Sequence, residues 1–174
     1  MKKIFFGIAL FIAGFVVVGF MLPERVHVER TTDINAPVEK VFALVNNFRE
    51  FNKWSPWAKL DPDTQYTFSG PDSGVGAMMS WQSSDANVGS GSQRIVKSEP
   101  HKHVGVSLNF SDQGVAMASY NLASHDSNTR ITWGFDMDLG SNPISRYFGL
   151  FFDGMIGSDY ERGLMALKTL AESQ

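Results

Sequence analysis

The chain has 174 residues, 43% of them hydrophobic and 19% charged, with a formal net charge of -3. That length suits one globular domain plus an appendage, and the acidic balance gives no basic field for nucleic acid. There is no cysteine, which excludes disulfides, thiolate catalysis, cysteine-ligated zinc and a lipid-modified N-terminal cysteine.

Lys2 and Lys3 precede an unbroken apolar run from Ile4 to Leu22, IFFGIALFIAGFVVVGFML. As a helix its 19 residues would reach about 28 Å, close to the hydrocarbon thickness of a bilayer. The expectation is an uncleaved signal anchor over residues 1–24, with residues 4–22 in the membrane. A cleaved signal peptide is the alternative, but the run ends in GFMLPERV, without small residues before a cut. A buried soluble helix suits a segment that is apolar all round poorly. Glu24, Arg25, Glu29 and Arg30 cancel beyond the run, so the two lysines set the bias. The N-terminus is then cytoplasmic and residues 25–174 form a domain on the outer side, periplasmic or extracytoplasmic.

Beyond Pro23, Val26–Ile34 alternates as a strand. Asn35-Ala36-Pro37 opens a helix, with Pro37 in its first turn and Asn35 able to cap it. Val38, Val41, Phe42, Val45 and Phe48 share one face of it. FREFNKWSPW continues as a second short helix that Pro56 stops. In it Phe51, Trp54 and Trp57 recur every three residues, so their rings lie near one another. Strands and tight turns follow: Tyr66–Ser69, Met78–Ser83, Val88–Glu99, a clean alternation of Val104, Val106, Leu108 and Phe110, then Val115–Ser124 and Asn128–Met137 joined by HDSN. Pro143 opens one long helix to about Ala171, whose apolar stripe includes Ile144, Tyr147, Phe148, Phe151, Phe152, Met155, Ile156, Tyr160, Leu164, Leu167 and Leu170. Short turns between strands imply an antiparallel meander, with the long helix covering its apolar face.

The stretches INAPVEKVFALVNNFREFNKWSPW, YTFSGPDSGVGAMMSW, TRITWGFDMD and DGMIGSDYERGLMALK resemble the START-related SRPBCC superfamily, in its polyketide-cyclase-like branch. The resemblance spans about Val28 to Glu172. It implies an α+β helix-grip fold: a curved antiparallel sheet of about seven strands around a long C-terminal helix, with two short helices after the first strand. It also implies a space between sheet and helix that holds an apolar molecule. Superfamily members bind lipids or hormones or cyclise polyketides, so fold alone does not choose among these.

Candidates for lining that space are Trp54, Trp57, Met79, Trp81, Leu108, Phe110, Tyr120, Trp133, Phe135, Phe148, Phe152 and Met155. Methionines and aromatics suit a loosely specified apolar ligand, and equally suit a filled core. Trp54 and Trp57 are either the core of a helical lid, each indole N–H bonded to backbone, or a rim at the cavity mouth. Arg94 and Asp159 are the polar candidates, for a ligand carboxylate and the cavity border respectively. His27, His101, His103 and His125 have no evident third partner for a metal. No Ser/His/Asp set, P-loop or dinucleotide fingerprint occurs. GPDSGVGA enters a strand rather than a helix and reads as turn chemistry. No catalytic residue, metal or cofactor is assigned. The expected function is a membrane-tethered domain for a small hydrophobic or lipid-like molecule. A cyclase or dehydratase and a closed-core envelope interaction domain remain open beside it.

Overall fold

The computed structural model describes residues 2–110 and 114–173, the side chains of Lys2, Lys3 and Ala9 excepted. The expected limits Met1 and Gln174 lie outside the described residues. An N-terminal helix α1 (Lys2–Met21) leads into strand β1 (Arg25–Ile34), then α2 (Val38–Val45) and α3 (Phe48–Trp54). Strands β2 (Gln65–Ser69), β3 (Met78–Gln82), β4 (Ser90–Glu99), β5 (His103–Asn109), β6 (Val115–His125) and β7 (Asn128–Asp138) follow. Two helices, α4 (Pro143–Gly149) and α5 (Phe152–Glu172), close the chain. The seven strands form one sheet in the order β1-β7-β6-β5-β4-β3-β2, every pairing antiparallel. This is the helix-grip arrangement.

Local chemistry sets the helix starts. Asn47 caps α3, its Oδ1 accepting from the backbone N–H of Arg49 at 2.8 Å and of Glu50 at 3.4 Å. The expected cap of α2 by Asn35 does not form. Pro37 occupies that position, and Asn35 instead donates its backbone N–H to Glu172 at 2.7 Å. That bond ties the end of β1 to the end of α5.

The expected single C-terminal helix is two. Backbone bonds tighten at the junction, Leu150 N–H to Tyr147 O at 3.3 Å and Phe151 N–H to Phe148 O at 3.0 Å, both spanning three residues rather than four. Gly149 presses on β1 and the end of β7: an added Cβ would lie 2.6 Å from Leu139 Cδ1 and 3.2 Å from Val26 Cγ2. The break frees α4 to pack on α1 while α5 crosses β1, α2 and α3.

Helix α5 turns Tyr160, Leu164, Leu167 and Ala171 inward and packs backbone-close at Gly157 and Gly163. Arg30 of β1 lies over Gly157, and its guanidinium donates to Glu161 at 2.7 Å and Asp153 at 3.0 Å. It clamps helix to sheet at the one position where the inner face of β1 carries a charge. Ile34, Val41, Ile95, Val104, Val106, Ile131 and Leu167 are fully buried in the core between sheet and helices. Each such aliphatic side chain stabilises the fold by roughly 1.5–3 kcal/mol in transfer terms.

Candidate functional site at the open end of the grip

The interior divides into a filled part and an open part. Trp54, 1% exposed, fills the centre and donates its indole N–H to Leu44 O at 3.1 Å. Its ring meets Phe51 edge-on at 4.8 Å and Trp133 at 5.3 Å. Trp133 stacks flat on Tyr160, centroids 3.8 Å apart and planes 12° apart, and lies 5.4 Å from Tyr120. Gly163 makes the stack fit, because an added Cβ would sit 2.6 Å from the Trp133 ring and 3.1 Å from Pro56. Trp54 is thus lid core with its N–H on backbone. Trp57 is half-buried and donates its N–H to the Asp159 carboxylate at 3.2 Å, not to backbone. Asp159 also pairs with Arg162 on its own helix.

Burial pushes the Tyr120 phenol well above its ordinary pKa, and the nearby Tyr160 adds to this. Burial also pushes Tyr160 up, with Asp136 and Asp159 adding to it. Both stay neutral at physiological pH. They can donate a hydrogen bond but cannot serve as bases there. The buried indole N–H of Trp133, whose ring stacks on Tyr160, works against the rise at that phenol.

The open part is read from sheet register, since directly paired residues share a face. One row crosses the whole sheet: Phe68, Met79, Gln93, Leu108, Ala116, Met137, Val26. It contains no ionisable side chain, and Gln93 is its single polar member. Gln93 is 6% exposed, and its partners across the ladder, Met79 and Leu108, offer its amide nothing better than a thioether. One step further out, Trp81 pairs with Gly91, whose missing side chain receives the indole; an added Cβ would be 2.7 Å from that ring. Trp81 meets Phe110 edge-on at 6.2 Å, and Phe135 stacks on Phe152 at 5.9 Å. Trp81, Leu108, Phe110, Met137, Phe152 and Ile156 are all half-buried here. A shallow depression of about 330 Å³ lies at this edge of the sheet, lined by Trp81 and Gly91 and, from the opposite face, by Gln82, Ser90, Ser92 and Asn109. A smaller one of about 40 Å³ lies between Phe48, Arg49 and Phe68.

The sequence candidates divide between the interior and the surface. Met79, Tyr120, Trp133 and Phe135 are buried on the inner face. Phe148 and Met155 are exposed, because the helix break turns that stretch away from the sheet. Arg94 points to the opposite face from Gln93 and lies exposed against Met78 Sδ. The polar residue that β4 turns inward is Gln93, which the sequence reading missed. A bulge after Ile95 shifts the parity of β4, so alternation along the strand does not reveal it. His103 bonds Asn121 Oδ1 at 2.7 Å, and His101 meets the Phe42 ring edge-on. His27 bonds Asp136 at 2.7 Å on the outer face, and that bond raises its pKa from the ordinary value. Among the described residues no group of three His, Asp or Glu side chains is placed to hold a metal.

Several solved structures share this fold. The dimeric Aha1 of Colwellia psychrerythraea aligns over 85% of this chain and 97% of its own, at 17% identity and a TM-score of 0.61. The Zhui aromatase/cyclase of Streptomyces aligns over 85% and 94%, at 14% identity and a TM-score of 0.61. A protein of Chromobacterium violaceum aligns over 88% and 100%, at 17% identity and a TM-score of 0.56. At such identities the likeness is one of fold. No curated relative matches. The family model described as polyketide cyclase / dehydrase and lipid transport matches residues 25–172. Since that is the whole span from β1 to the end of α5, the chain belongs to this family.

Proposed function

We propose that the protein is a membrane-tethered binding domain for a small hydrophobic or lipid-like molecule, taken up at the open end of the grip. The observation that carries this is the inner row of the sheet: apolar from edge to edge, with one buried amide. That amide is not left buried without a partner, and it is placed to hydrogen-bond an incoming polar group. A ligand with an apolar body and a carbonyl, hydroxyl or carboxylic acid head supplies such a group. The half-buried Trp81, Phe110, Leu108 and Phe152 offer the body its contacts. The family's description, which includes lipid transport, agrees with this reading. Helix α1 supplies the tether: Ile4–Met21 is long and apolar enough to cross a bilayer, and its side chains are almost all exposed. Lys2 and Lys3 favour a cytoplasmic N-terminus with the domain on the other side.

One observation favours a second reading, an interaction domain with a closed core. The centre of the grip is occupied by Trp54, Trp133 and Tyr160, leaving the ligand only the open end. The two readings separate by uptake. Full-length protein, purified in mild detergent, is titrated with a fluorescent fatty acid and an uncharged apolar dye. Saturable uptake of both is expected, with transfer of excitation from the tryptophans. Gln93→Leu should weaken the fatty acid selectively and leave the dye unaffected. No saturable uptake of either probe sinks the binding reading in favour of the closed core.

A further inference from the structure

Helix α4 is fastened chiefly to α1 and reaches the sheet only at its last residue, Gly149. Tyr147 stacks on Phe15 with centroids 4.1 Å apart and planes 7° apart, and its hydroxyl donates to Phe15 O at 2.6 Å. Pro143 and Tyr147 close on Gly19, where an added Cβ would lie 2.7 Å from Pro143 Cβ. Arg146 donates to Phe20 O at 2.9 Å, Leu22 O at 3.3 Å and the Glu24 carboxylate at 2.6 Å. These contacts span the last two turns of α1. At about 1.5 Å per residue, Phe15 lies roughly 9 Å below Met21 along the helix axis. If α1 crosses the bilayer, Tyr147 lies below the level at which the chain leaves it.

The composition of this segment fits that depth. Residues 143–152 read PISRYFGLFF. Arg146 carries the single charge, is 5% exposed, and is turned onto α1 carbonyls and Glu24. Ile144, Phe148, Leu150 and Phe151 are exposed, Phe148 at 64% and Phe151 at 65%, and Met155 extends the patch one turn into α5. A contiguous apolar surface of this kind needs a partner. What adjoins it is the exposed apolar surface of α1 itself, so one continuous apolar face runs from the span onto the junction.

We infer that the α4–α5 junction is an interfacial membrane segment, its apolar side chains embedded in the leaflet through which α1 emerges. The occupant of the patch is the acyl and headgroup region of that leaflet. Phe152 starts α5 between this patch and the open end, stacked on Phe135 inside. The grip therefore meets the leaflet at its open end, and a lipid of that leaflet is the ligand class with the shortest way in. The inference rests on α1 being a membrane span, part of the function proposed above.

The chain has no cysteine, so single cysteines report one position each. Phe148→Cys, Phe151→Cys, Val17→Cys on α1 and Met165→Cys on the exposed face of α5 are labelled with an environment-sensitive fluorophore. The labelled full-length proteins are placed in phosphatidylcholine vesicles with and without brominated acyl chains. Labels at 148 and 151 should be quenched at a depth of roughly 5–10 Å below the headgroup boundary. The label at 17 should be quenched more deeply, and that at 165 not at all. Because the four positions are exposed, core tryptophan emission should stay unchanged and serves as the folding check; Leu150→Cys replaces a variant that fails it. Unquenched labels at 148 and 151 beside a quenched one at 17 overturn the interfacial segment and leave the tether standing. An unquenched label at 17 overturns the tether and the inference with it.

Discussion

The centre and the open end of the grip use the same residue types to different ends. At the centre, Trp54, Trp133, Tyr160 and Tyr120 interlock around Gly163 and leave no room. At the open end, Trp81, Phe110 and Phe152 keep part of their surface outside, and the patch beyond them is uncovered. The difference lies in what faces each aromatic. At the centre every ring meets another ring from a second element: α3, α5 or the sheet. At the open end Trp81 meets Phe110 and Phe152 meets Phe135, but one side of Trp81, Phe110 and Phe152 stays uncovered. Aromatic content therefore marks where contact is made but does not say with what.

The largest effect should come from removing a ring at the centre. Trp54→Ala deletes the indole that bonds Leu44 and touches Phe51, Tyr120 and Trp133. Its cost should be about 3–5 kcal/mol, read from urea unfolding of the full-length protein in detergent. Trp81→Ala, at the half-buried end, should cost clearly less and instead reduce probe uptake. Equal losses from the two substitutions would dissolve the distinction between centre and open end.

Alkaline pH tests the same distinction by charge. Tyr120 and Tyr160 are held above their ordinary pKa by burial, so the folded protein keeps protons that the unfolded chain releases. Their contribution is fully present below the ordinary tyrosine pKa of about 10 and is lost as pH rises past it. The expected slope is about 1.4 kcal/mol per pH unit for each tyrosine. Unfolding measured at rising pH above that point should show a shallower slope in Tyr160→Phe than in wild type. An unchanged slope would mean that Tyr160 is solvated and the centre is open.

The filled centre and the sheet were legible in the sequence because alternation is strict where one face is buried. Val104, Val106 and Leu108 on β5, and Ile131, Trp133, Phe135 and Met137 on β7, take the faces that a period of two assigns. Two features were not legible. A bulge between Ile95 and Lys97 resets the parity of β4, so strict alternation back from Ser98 turns Arg94 inward, whereas the sheet turns Gln93 inward. The break after Gly149 left no mark in the apolar stripe, which runs through Phe148, Phe151 and Met155 without interruption. Side chains that face protein and side chains that face lipid give the same hydrophobic pattern. Only the folded geometry shows that α4 has α1 for its main neighbour.

The smallest effect, and the sharpest contrast, comes from one substitution in the middle of α5 and one in its first turn. Gly163→Ala pushes a Cβ to 2.6 Å from the Trp133 ring and 3.1 Å from Pro56, and neither can yield without disturbing the stack on Tyr160. Overpacking of this kind costs about 1–3 kcal/mol, more than alanine's helix preference returns. Gly154→Ala meets nothing within 4 Å. There the same preference acts unopposed and should stabilise the protein by up to about 1 kcal/mol. Opposite signs in thermal or urea unfolding are the expected result. If Gly154→Ala also destabilises, the N-terminal turns of α5 are covered in solution. The open end would then be closed by a partner that packs against Gly154.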